Sequence, residues 1–89
     1  MTLAEYDELL TTAPEWPWSD TESPAETTRA ILEGGDTVKF LKHARINLLA
    51  SMFMDEHLSK HTPDDTRRIE WYRNWEAWWQ EVWERAKKS

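Results

Sequence analysis

The stretch that most constrains this chain is its last third, Arg67-Arg68-Ile69-Glu70-Trp71-Tyr72-Arg73-Asn74-Trp75-Glu76-Ala77-Trp78-Trp79-Gln80-Glu81-Val82-Trp83-Glu84-Arg85-Ala86, which holds five of the seven tryptophans. At about 100° per residue, Ile69, Trp71, Tyr72, Trp75, Trp78, Trp79, Val82, Trp83 and Ala86 fall on one half of a helical wheel. Glu70, Arg73, Asn74, Gln80, Glu81, Glu84, Arg85, Lys87 and Lys88 fill the other half, and only Ala77 breaks the pattern. This predicts a strongly amphipathic helix whose aromatic half must be covered. The apolar sector is wider than the stripe one neighbouring helix covers. Either the rest of the chain supplies the cover, or another chain does.

With 89 residues there is room for one domain spanning 1–89, and no cysteine is present to staple it. A domain this small buries only about 60% of the surface its unfolded chain exposes. Large side chains must therefore carry the core. Five helix tryptophans at roughly 150–250 Å² each can remove about 1,000 Å² from water, so they are core candidates before they are anything else.

The preceding sequence reads as three further helices. Thr2-Leu3-Ala4-Glu5 has the form of a capping box, and Leu3, Tyr6, Leu9 and Leu10 make an apolar stripe, which predicts a helix over 3–11. Ser23-Pro24-Ala25-Glu26 repeats the signature with proline at the first helical position. It predicts a helix over 24–33, stopped by Gly34-Gly35. Asp36 is placed to cap a long helix over 37–60. In its middle, apolar residues spread around most of the wheel, as in a helix with several neighbours. Thr62-Pro63-Asp64-Asp65 then predicts the start of the tryptophan helix at 63, running to 88. The expected fold class is all-α: a small bundle of about four helices, two short N-terminal ones packed on a long antiparallel hairpin of 37–60 and 63–88.

Between the first two helices lies a Pro/Trp loop, residues 12–23, in which Trp16 and Trp18 flank Pro17 and Pro14 bars regular helix. Its tryptophans either stack over the Trp-rich helix or stand exposed as rigid anchors for a partner.

Charge divides the chain. Residues 1–36 carry nine acids and one base, Arg29, while residues 37–89 carry ten bases and eight acids, so the halves stand at −8 and +2 within a net −6. An acidic half argues against nucleic acid as main ligand, since that binding rests on neutralising phosphates. It suits a partner protein with a basic surface. Lys39, Lys42, His43 and Arg45 form a small basic cluster in the first turns of the third helix. With Gly34-Gly35 before them they admit a helix-turn-helix reading. Pairing with the acidic half, within the domain or across a dimer, is the simpler expectation.

Signals for chemistry are weak. His57 and His61 have the i, i+4 spacing of a helical metal pair, but His61 sits at the helix end and no metal site is assigned. The acid pairs Asp7/Glu8, Asp55/Glu56 and Asp64/Asp65 are adjacent, so their side chains diverge rather than converge on a pocket. Ser51 has no histidine placed beside it by spacing and reads as a residue that lets helices approach. No catalytic residue and no cofactor is expected. No secretory signal is read in the acidic N-terminus, and the longest apolar runs are far too short for a membrane span. These features predict a soluble, cytoplasmic chain.

A short, acidic, cysteine-free, tryptophan-rich helical chain of this kind is common among small bacteriophage and mobile-element proteins that act by binding. The leading expectation is a protein-binding module, an inhibitor, adaptor or immunity- or antitoxin-like protein that occludes a larger protein. Its expected contact residues are Trp16, Trp18, Trp71 and Trp78, with Glu15, Asp20 and Glu22 steering. Trp71 and Trp78 are chosen because they lie at the edge of the apolar sector. The alternatives are a virion or assembly subunit that forms a homo-oligomer through its aromatic face, and a helix-turn-helix regulator.

Overall fold

A computed structural model describes residues 1–88 and contains four helices: α1 (Leu3–Leu10), α2 (Pro24–Glu33), α3 (Thr37–His61) and α4 (Thr66–Lys88). No strand occurs among the described residues. The expected all-α architecture is present, and α3 and α4 make the most extensive packing of any helix pair. Their direction is antiparallel. Arg73, early in α4, bonds Asp55, late in α3, at 3.1 Å, while Phe40 and Ala86 line one small cavity at the opposite end. This hairpin sets the longest dimension of the molecule, 41 Å.

Most helix boundaries follow from local chemistry. Thr2 accepts a hydrogen bond from the Glu5 amide, and the Glu5 carboxylate accepts one from the Thr2 amide, each at 3.2 Å. The Thr2 amide first, and then the Thr2 hydroxyl donating at 3.0 Å, hold the Glu5 carboxyl below its ordinary pKa. Ser23 accepts from Ala25 at 3.2 Å and Asp36 from Lys39 at 3.0 Å. Gly34 stays right-handed, and Gly35 takes the left-handed turn with φ 83°.

One boundary differs from expectation by more than a residue. The fourth helix starts at Thr66 rather than at 63. Thr62 to Asp65 instead close a turn in which the Asp65 amide donates to the Thr62 carbonyl at 3.0 Å. Proline at the second position of a four-residue turn presets its φ just as it presets a first helical turn. Asp65 then takes the capping role, accepting from the Arg68 amide at 3.3 Å.

The core draws on all four helices. Tyr6 is completely buried. Its ring meets Phe40 of α3 edge-on at 5.7 Å and Trp78 of α4 at 5.9 Å, and its hydroxyl donates to the Ala25 carbonyl of α2 at 2.6 Å. One α1 side chain thus ties together the other three helices. On the surface beside it, Arg29 donates to both carboxylate oxygens of Asp7, at 2.6 and 3.1 Å, and to Glu33 at 3.1 Å. The Arg29 guanidinium holds the Asp7 carboxyl below its ordinary range.

Burial, reinforced by the charges of Glu26 and Asp7, raises the Tyr6 phenol well above its ordinary pKa. The folded state keeps this proton where the unfolded chain gives it up, near pH 10. Stability is therefore unaffected by this group below that pH and falls above it. Tyr6→Phe should cost about 0.5–1.5 kcal/mol near neutrality, because the phenol's bond to the Ala25 carbonyl is lost, yet lose less on alkaline titration than the parent does. Urea unfolding at neutral pH and above pH 10 measures both.

A second titration runs in the same direction at lower pH. Glu76 of α4 has its pKa raised, by partial burial first and then by the adjacent Asp55 carboxylate. A raised carboxyl favours folding while protonated, so this contribution is lost as pH climbs through the carboxylate range. Glu76→Gln is expected to raise the thermal midpoint at neutral pH. The gain should shrink toward zero below about pH 4, where both states are protonated. Calorimetry at the two pH values checks it.

Candidate interaction surfaces

Two surfaces stand out, and the first is built by the Pro/Trp loop. After α1 the chain is turned by Thr11 and Thr12, whose hydroxyls donate to the Glu8 and Leu9 carbonyls at 2.6 and 2.8 Å. Pro14 and Pro17 keep the following residues extended, and the loop crosses the first turns of α4. There the Trp71 indole donates to the Glu15 carbonyl at 2.9 Å, and the Trp16 indole donates to Thr21 of its own loop at 3.2 Å. The loop is thus pinned at its middle by α4 and folded back on itself.

The rings form one continuous path from surface to core. Trp18 meets Trp71 edge-on at 5.5 Å, Trp71 stacks on Trp75 at 5.2 Å, Trp75 stacks on Trp78 at 5.8 Å, and Trp78 reaches Tyr6. Trp16 braces the outer end, 4.7 Å from Trp18, 6.0 Å from Trp71 and 5.7 Å from Trp75. Offset and edge-on ring pairs are each worth about 0.5–1.5 kcal/mol beyond the area they bury. The outermost member, Trp18, is thereby held rigid while remaining 40% exposed.

Beside Trp18 lies an open cleft of about 360 Å³ lined by Pro17, Trp18, Asp65, Arg67, Arg68 and Trp71. Its walls are a proline ring and two indoles. Its rim carries two guanidinium groups, of which Arg68 leans on Asp65 at 3.4 Å. Such a cleft takes an apolar side chain, with the guanidinium groups placed for a carbonyl or carboxylate beside it.

Of the residues expected to touch a partner, the structure places Trp18 and Trp71 in the wall of this cleft, with Trp16 packed against both rings. Glu15, Asp20 and Glu22 are all exposed on the same loop. Trp78 is a correction. It is buried at 6% exposure, and its indole donates to the Leu9 carbonyl at 2.8 Å. The end of α1 covers the sector edge that the wheel left open, so Trp78 is core and not anchor. The aromatic face of α4 is likewise covered within the chain: Trp75, Trp78 and Trp79 are buried. Trp71, Tyr72 and Trp83 on the same face are partly buried against that core.

The second surface was not among the expected sites. Val38, Ile46, Leu49, Met52 and Phe53 of α3 are exposed, Ile46 by 62% and Phe53 by 66%. They lie on the side of α3 away from the buried residues Phe40, Ala44, Leu48 and Ser51. α3 has several neighbours, α4 and α2 among them, but all on one side. Its apolar residues mark one covered face and one bare face. Two short helices cannot wrap a 25-residue helix, and that mismatch of lengths was the available signal.

The basic cluster lies at the N-terminal end of this bare face. Among the described residues Lys39, Lys42 and Arg45 make no ion pair, so the expected pairing with the acidic half within the domain does not occur. Ser51 donates to the Asn47 carbonyl at 2.7 Å and is buried, in keeping with close helix approach. His57 and His61 are exposed with ring centroids 4.6 Å apart. No group of three or more His, Cys, Asp or Glu residues converges to hold a metal among the described residues. No helix among them is long and apolar enough to cross a membrane. Comparisons with protein-family models, curated proteins and solved structures find no match.

Proposed function

We propose that this chain is a small protein-binding module that acts in the cytoplasm by occluding or adapting a larger protein rather than by catalysis. The observation that carries the reading is Trp18: an indole fixed by Trp16 and Trp71, yet 40% exposed at the mouth of an apolar cleft. Rigid, partly exposed aromatics beside arginine are the residues from which interface hot spots are made, because ordering them on binding costs little entropy. Glu15, Asp20 and Glu22 stand on the same loop, exposed and outside every ion pair described. They favour a partner with basic residues around the apolar side chain that enters the cleft, and would speed its association. Inhibitors of host systems encoded by phages and mobile elements, and immunity or antitoxin proteins, work in this way.

Binding to DNA through α3 fits less well. Lys42 and Arg45 share their face with Val38, Ile46 and Leu49, so pressing phosphates there would lay apolar side chains against a charged backbone. An affinity capture from a bacterial lysate, with the tagged full chain as bait and mass spectrometry of what is retained, tests the proposal. One stoichiometric protein supports it. Recovery of the chain alone, as a defined oligomer, would favour an assembly subunit instead.

A further inference from the structure

The bare face of α3 is self-complementary about one residue. At about 100° per residue, Val38, Lys42, Arg45, Leu49, Met52, Phe53 and Glu56 lie along one side of the helix, with Ile46 at its margin. Leu49 is at the centre, 50% exposed. Lys42 stands seven residues before it and Glu56 seven after; Ile46 and Met52 stand three before and three after. Arg45 and Phe53 are each four away.

We infer that two copies of this chain pair through α3, antiparallel, with the twofold axis passing beside Leu49. In that register Lys42 of each copy faces Glu56 of the other, Ile46 faces Met52, and the Arg45 guanidinium lies over the Phe53 ring, a cation–π arrangement. Leu49 packs on its own symmetry mate. A twofold interface needs a patch that complements itself, and this palindrome supplies it. The parallel alternative would place Lys42 on Lys42, Arg45 on Arg45 and Glu56 on Glu56, and charge excludes it. Both partners of the new ion pair are at hand. Lys42 makes no ion pair among the described residues, and Glu56 has only a loose 3.5 Å contact with Lys60, both side chains more than two-thirds exposed.

The seam from Val38 to Glu56 is about 27 Å long. A single helix pair of that length buries less than a standard-sized interface, so dissociation in the micromolar range is expected. This pairing leaves the Trp18 cleft free and does not depend on what the cleft binds.

Sedimentation equilibrium of the full chain across the micromolar range tests it. The parent should shift from monomer to dimer. Leu49→Glu, at an exposed position that leaves the core intact, should stay monomeric with an unchanged circular dichroism spectrum. Lys42→Glu and Glu56→Lys should each weaken the dimer roughly tenfold, and the double reversal should restore it to within about twofold. The chain has no cysteine, so Leu49→Cys should cross-link to itself in air. Val38→Cys, whose two copies would lie about 33 Å apart, should not. A parent that is monomeric throughout overturns the inference. So does a dimer indifferent to Leu49→Glu, a double reversal no better than the singles, or cross-linking at Val38 instead. A monomer that captures an acidic amphipathic peptide on α3 also overturns it, by giving the face another occupant.

Discussion

Replacing Trp79 with alanine should lower the thermal midpoint by roughly 15–30 °C. Trp79 is completely buried, with Trp78 edge-on at 4.8 Å and Trp75 edge-on at 5.6 Å. Truncating a buried tryptophan costs about 3–5 kcal/mol, and a chain of this length has about twice that in total stability. The neighbours are rigid indoles already engaged with one another, so the cavity cannot collapse cheaply. Trp79→Phe should cost far less. It keeps an aromatic ring, and it removes an indole N–H that is buried without a hydrogen-bond partner. Thermal unfolding followed by circular dichroism distinguishes the two. A Trp79→Ala midpoint within a few degrees of the parent would mean that α4 is not the element the core depends on.

Trp18→Ala should do the reverse, costing binding more than stability. Losing the ring contacts with Trp16 and Trp71 should cost about 1–3 kcal/mol of stability. A central aromatic anchor contributes about 2–4 kcal/mol to binding, which corresponds to roughly a 30- to 1,000-fold rise in the dissociation constant for the partner. Trp16→Ala provides the contrast. Trp16 braces Trp18, Trp71 and Trp75 and closes the loop onto Thr21, so its loss should weaken folding and binding together. Calorimetric titration of the partner with each variant separates anchor from brace. Equal affinity of Trp18→Ala and parent would remove Trp18 from the contact.

The fold was largely legible because its signals are local. Thr2 with Glu5, Ser23 with Pro24, and Asp36 each act within one helical turn. A pattern reading therefore located α1, α2 and α3 closely. The start of α4 was misplaced because proline at position 63 serves a turn and a helix start equally, and only the hydrogen bond from Asp65 to Thr62 decides between them. The site was legible in part. Trp16, Trp18 and Trp71 come together because Pro17 and the contact from Trp71 to Glu15 fix the loop over α4. Trp78 was misjudged because wheel position does not reveal which neighbour covers an edge, and here α1 ends on it. The bare face of α3 was missed for the same reason. An apolar residue reads alike whether it is covered or not, until the lengths of the neighbouring helices are compared.

Docking of a partner at the Trp18 cleft is open to a direct test. Hydroxyl-radical footprinting of the chain, alone and with its captured partner, tests it at single side chains. Oxidation of Trp18 and Trp71 should slow on complex formation, while Trp83, on the last turns of α4 with Lys87 over its ring at 5.9 Å, should oxidise at an unchanged rate. Unaltered oxidation of Trp18 and Trp71 in a saturated complex would contradict it.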